Sequence, residues 1–126
     1  MAMKHWRILP LVFSLLLFST ATPSKAQDQS DLPGVKEQAD VDSANLELDQ
    51  VYRTLLSKAD REEQSALREA QRAWIKWRDA EAMYIARHGG AVGGSALRVD
   101  YAEAELKLIN DRISALKSYA SEAPSD

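Results

Sequence analysis

Between Glu37 and Glu122 the chain contains no proline, and its only glycines, Gly89, Gly90, Gly93 and Gly94, fall in one cluster. Those two residue types interrupt helices more strongly than any others, so the segment reads as helix broken at few places. Its apolar residues recur every three or four positions. A first set runs Val41, Ala44, Leu48, Val51, Tyr52, Leu55, Leu56, Ala59. A second runs Leu67, Ala70, Trp74, Trp77, Tyr84, Ile85, His88, and a third Leu97, Tyr101, Ala104, Leu108, Ile109, Leu116, Tyr119. Such spacing lines each set along one side of a helix. Asp40 or Asp42 can cap the first helix, Asp60 with Glu63 forms a capping pair for the second, and Ser95 opens the third. Gly89-Gly90 supplies a left-handed stop. The fold class is therefore all-α, a three-helix antiparallel up-down-up bundle. The alternative is a long helical hairpin with helices one and two fused, because neither Gly nor Pro separates Leu56 from Leu67. The reading adopted breaks the chain near Lys58 to Arg61.

The two ends differ from this middle. Lys4 and Arg7 precede a nearly continuous apolar run from Ile8 to Phe18, and Ser24-Lys25-Ala26 follows with small residues at the positions a signal peptidase needs. The run is shorter than the roughly 20 apolar residues needed to span a bilayer, and it contains Pro10. Residues 1–26 are thus expected to be a cleaved signal peptide, giving a periplasmic or secreted product with no stable membrane anchor. Residues 27–39 read as a flexible leader, 40–120 as the helical domain and 121–126 as a disordered tail. Cleavage removes three basic residues and no acid, leaving about 100 residues with a net charge near −6. An acidic chain of this kind lacks the basic face of a nucleic-acid binder, and suits a basic protein partner. With no cysteine, stability must come from helix packing, helped or not by self-association as a homodimer.

Some polar residues fall inside the apolar stripes. Glu81 lies between Trp77 and Tyr84, Arg112 between Leu108 and Leu116, and Asn45 within the first set. Buried charge without a partner is costly, so each predicts a contact. Folding the helices back on one another suggests a polar layer of Asn45, Arg78, Glu81 and the Tyr101 hydroxyl, with Arg112 bonded to Gln71. The acid pairs Glu62-Glu63 and Glu103-Glu105 read as solvent faces, and both Trp74 and Trp77 as core.

Groups able to do chemistry are few. Once His5 is lost with the signal, His88 is the one histidine, so the usual zinc ligand sets cannot be assembled, and no G-x-S-x-G elbow accompanies it. The chain reads as a non-enzyme with no catalytic residues, metal or cofactor. Its most unusual stretch is His88-Gly89-Gly90-Ala91-Val92-Gly93-Gly94-Ser95. It is either a permissive helix connector or a slim loop able to enter a partner's cleft, with His88, Gly89, Gly90, Gly93, Gly94 and Ser95 as the binding residues.

Four segments carry a family resemblance: Asp49-Gln50-Val51-Tyr52, then Ala70-Gln71-Arg72-Ala73-Trp74-Ile75-Lys76-Trp77-Arg78-Asp79-Ala80-Glu81, then Gly93-Gly94-Ser95, and Arg112 ahead of Leu116. Together they resemble the LprI-type lysozyme-inhibitor domain over most of the chain after the signal, with Gln71, Arg72, Trp74, Trp77, Arg78, Asp79, Glu81 and Arg112 as the motif residues. The sequence departs from the family where relatives commonly carry a pair of cysteines, which are here Ala82 and Ala104, and at Ile109, often a threonine. If those cysteines form a bridge in relatives, the two positions face each other in the bundle.

The resemblance implies an exported binding protein that occludes a lysozyme's sugar cleft, lysozymes being usually basic. The alternative is a periplasmic structural or assembly module that pairs through helix faces without inhibiting anything. A third reading, carbohydrate binding, requires Trp74 or Trp77 at the surface.

Overall fold

The structure, a computed structural model, describes residues 32–122, and there it is entirely helical apart from turns. The expected signal peptide, the first part of the leader and the end of the tail lie outside the described residues. Three helices follow one another: α1 (Val35–Lys58), α2 (Arg61–His88) and α3 (Gly94–Glu122). They run up, down and up, as the periodicity predicts.

The helix ends have identifiable causes. The α1–α2 break needs only Ala59 and Asp60. Ala59 turns extended, and the Asp60 carboxylate accepts from the backbone N–H groups of Glu62 and Glu63, both at 2.9 Å. The Glu63 side chain reciprocates by accepting from the Asp60 N–H at 3.0 Å. The Gln64 amide then donates to the carbonyls of Leu56 and Ala59 at 3.1 Å, satisfying acceptors left open at the end of α1. The fused rod is therefore not formed.

Two helix starts depart from expectation. α1 begins at Val35, ahead of both Asp40 and Asp42, because Gly34 at φ 91° turns the chain and its N–H donates to the Glu37 carboxylate at 3.0 Å. Residues 35–39 are accordingly helix. α3 begins at Gly94, which puts Ser95 inside the first turn instead of at the cap.

The core is organised around α3. Its residues Ala102, Ile109, Ile113 and Leu116 pack with Val41, Ala44 and Leu48 of α1, and Val51, Tyr52 and Leu55 lie against that cluster. A second cluster joins Ala104 and Leu108 of α3 to Ala82 of α2, with Tyr101 alongside. At 100° per residue these two faces of α3 are centred roughly 120° apart. α1 and α2 therefore lie on separate sides of α3 and touch each other little.

The inward face of α2 is not the stripe its aromatic residues suggest. Gln71, Ala82 and Ala86 are buried, with Leu67, Trp74 and Arg78 half-buried beside them. Trp77 and Tyr84 are instead 50% and 60% exposed, and Ala70 and His88 are exposed with them. The expectation of two buried indoles thus holds in part for Trp74 and fails for Trp77. Small residues on the inward face let α2 approach α3 closely, which a Trp at the same place would prevent.

Candidate functional site

Arg78 is the residue on which the three helices converge. Its guanidinium donates to the Asn45 side-chain oxygen of α1 at 3.4 Å and lies 3.4 Å from the Glu105 carboxylate of α3. It also donates twice to its neighbour Asp79, at 2.9 and 2.7 Å. Both Arg78 and Arg112 stack on the Trp74 ring, their guanidinium carbons 5.4 and 5.7 Å from its centroid. The Arg112 Nε donates to the Gln71 side-chain oxygen at 3.1 Å, as the sequence predicts.

The acid of this layer is Glu105, only 8% exposed, and not Glu81. Glu105 falls between the two apolar faces of α3, so an acid read as solvent-facing is enclosed by packing on both sides. Burial pushes its carboxyl above the ordinary range, and the Arg78 charge partly offsets that. Burial and the nearby Glu105 charge likewise raise the Tyr101 phenol. Every buried side-chain polar atom among the described residues has a partner. The layer joins the three helices, and on the α1–α2 side it borders an open cleft of about 220 Å³ lined by Asn45, Asp49, Tyr52, Gln71, Ile75 and Arg78. Of the motif residues, Gln71, Trp74, Arg78 and Arg112 are brought together there with Asp79 at its edge, whereas Arg72 and Trp77 point outward and Glu81 sits half-buried on the α2 flank. Ala82 and Ala104, which the sequence resemblance expects to face each other, do share one buried cluster.

Of the other family segments, Asp49-Gln50-Val51-Tyr52 lies on α1, with Asp49 and Tyr52 lining the cleft beside the joint, and the glycine loop lies about 15 Å further along α2 from Arg78 at 1.5 Å per residue. Gly89 closes α2 by donating to the Ile85 carbonyl at 3.0 Å, and Gly90 donates to that of Arg87 at 3.1 Å. Gly90, Gly93 and Gly94 have φ of 95°, 153° and 65°, which side chains rarely tolerate, and a Cβ at any of them would meet open space. Backbone conformation, not crowding, accounts for these glycines. The loop stands clear of the bundle with Val92 fully exposed at its tip.

The two polar residues at the roots behave differently from the loop. His88 stacks on Tyr84 with ring centroids 5.5 Å apart, which holds it along the outer face of α2. Ser95 is exposed in the first turn of α3. Sequence reasoning named the glycines and passed over Val92, whose signal is an apolar residue between two glycine pairs. At the same end, the start of α1 and the roots of the loop enclose an apolar cleft of about 770 Å³, bordered by Leu32, Val35, Met83, Leu97 and Tyr101.

The profile of the family described as lysozyme inhibitor LprI matches residues 21–116, most of the chain. The chain belongs to the LprI family. No curated protein and no solved structure matches it. The LprI profile takes in the whole Arg78 joint and the glycine loop, so both elements are parts of the family domain. Among the described residues no group of three or more His, Asp or Glu side chains is placed to hold a metal ion, and no helix is long and apolar enough to cross a membrane.

Proposed function

We propose that the chain is exported, loses residues 1–26, and binds a lysozyme by inserting its glycine loop into the sugar cleft. The observation that carries this reading is an apolar tip, Val92, held fully exposed on a slim loop in a member of a lysozyme-inhibitor family. Four glycines keep the loop narrow, and the apolar cleft beside its roots gives a protruding element and a receiving one on the same end of the molecule. The family motif in the Arg78 joint acts at a distance. It fixes α2 on α3, and so the orientation of the loop between them. The acidic charge of the processed chain speeds encounter with a basic enzyme and weakens with salt. His88, Gly89, Gly90, Gly93, Gly94 and Ser95 would frame the contact, and blocking substrate entry needs no catalytic group.

The test is lysis of cell walls by chicken-type, goose-type and invertebrate-type lysozymes, with and without the purified protein. Inhibition of at least one class near equimolar ratio is expected. Val92→Asp should weaken it tenfold or more while leaving helicity unchanged, since Val92 packs against nothing. No slowing of any class at several-fold excess would remove the reading.

A further inference from the structure

α2 carries a second apolar seam that the fold leaves uncovered. Ala66, Ala70, Ala73, Trp77, Ala80, Tyr84 and His88 are all exposed. Their spacing of four, three, four, three, four and four confines them to an arc of about 80° on the helix, roughly 130° from the inward face. No charged residue enters that arc between Ala66 and His88. A single exposed aromatic needs no explanation, but a continuous seam of some 33 Å, at 1.5 Å per residue, does.

We infer that this seam pairs with the same seam of a second copy of the chain, the two α2 helices running antiparallel about a two-fold axis at Trp77. The sizes of the side chains along the seam select this arrangement. The large side chains occupy the C-terminal half of the seam and the small ones the N-terminal half. An antiparallel dyad at Trp77 sets Tyr84 over Ala70 of the second copy and His88 over Ala66, so those rings meet gaps while the two Trp77 indoles lie against each other at the dyad. Parallel pairing would stack Tyr84 on Tyr84 and leave the alanines facing alanines. One border of the seam carries Glu69 near its start and Arg87 near its end. Antiparallel pairing brings Glu69 of each copy to Arg87 of the other at both ends of the seam, with the long Lys76 side chains, further round the helix near the dyad, free to reach solvent. A strip of this length and about 12 Å wide covers roughly 400 Å² on each copy, which places the dimer in the weak, reversible class. The glycine loops emerge at opposite ends, roughly 40 Å apart, with His88 at each root entering the seam and Gly89 to Ser95 left free.

The experiment is sedimentation of the protein, purified after expression of the whole chain, across roughly three decades of concentration. Concentration-dependent dimerisation is expected, and Ala80→Glu should weaken it at least tenfold with no change in helicity, because Ala80 is exposed. The absence of cysteine allows single-cysteine variants to report geometry. Lys76→Cys, one residue from the dyad, should form a disulfide-linked dimer, and Ala66→Cys, far from its counterpart, should not. A monomer at every concentration, a dimer indifferent to Ala80→Glu, or equal cross-linking of the two cysteine variants would each overturn the inference. Loss of lysozyme binding by Ala80→Glu in a protein that is always monomeric would reassign the seam to that partner.

Discussion

A disulfide joining positions 82 and 104 tests the register of α2 on α3. Ala82 is fully buried, Ala104 is 6% exposed, and both belong to one cluster. A cystine requires Cβ atoms about 3.5–4.5 Å apart, so formation of the bridge tests whether the two methyl groups lie that close. In Ala82→Cys/Ala104→Cys the bridge closes a loop of about 23 residues that includes all four glycines of the connector. The chain-entropy relation for a loop of that size gives a loss of about 11 cal/mol/K from the unfolded state, or about 3 kcal/mol at 25 °C. For a domain near 100 residues this corresponds to a rise in Tm of roughly 10–25 °C. The comparison is between the oxidised and reduced forms of the same variant, so any crowding from the added sulfurs largely cancels. Thiol titration after oxidation should find no free thiol, and thermal melts by circular dichroism with and without reductant should differ by that margin. Thiols that stay free in the oxidised folded protein, or an oxidised form that melts below the reduced one, would refute the placement of α2.

The remaining predictions concern the joint and the indoles. Glu105 has a folded-state pKa above its ordinary value of 4.5, so its contribution to stability is greatest below that value and is lost as pH rises through the folded pKa. Urea melts of wild type and Glu105→Gln should therefore show the wild type gaining on the variant from pH 7 to pH 4, and the opposite slope would contradict the burial of Glu105. Arg78→Met strands that carboxylate, at a cost of about 3 kcal/mol at pH 7 that shrinks on acidification, measured by the same melts. Trp74→Ala should cost about 3 kcal/mol through lost packing and the loss of two guanidinium contacts, whereas Trp77→Ala should change monomer stability by less than about 1 kcal/mol. Iodide should quench Trp77 emission efficiently and Trp74 emission poorly in a dilute sample.

Much of this arrangement is legible in the sequence because its determinants are local. The Asp60-Glu63 pair and Gly89-Gly90 set helix ends by short-range hydrogen bonds and backbone conformation, and both act where the residues predict. The Gln71–Arg112 bond was legible too, since a charge inside a stripe needs a partner and antiparallel folding brings only a few candidates level with it. What the sequence does not reveal is which of two apolar faces of α2 turns inward. Trp77 and Tyr84 dominate any count of hydrophobicity, yet the face that packs is made of Ala82, Ala86, Gln71 and the stem of Arg78, chosen by closeness of approach. Glu105 was misplaced for a related reason. A helix packed on one side leaves that position in water, and only the central location of α3, contacted on two sides, encloses it. The start of α1 was missed because its cap is a backbone turn at Gly34 and not a side chain.

Binding of lysozyme in the presence and absence of a chito-oligosaccharide that fills the enzyme's cleft tests the loop-insertion account most directly. The account predicts that the oligosaccharide weakens binding in proportion to its occupancy of the cleft, while leaving the fluorescence of the free protein unchanged. Affinity that does not respond to a filled cleft, or no binding at all, would contradict it.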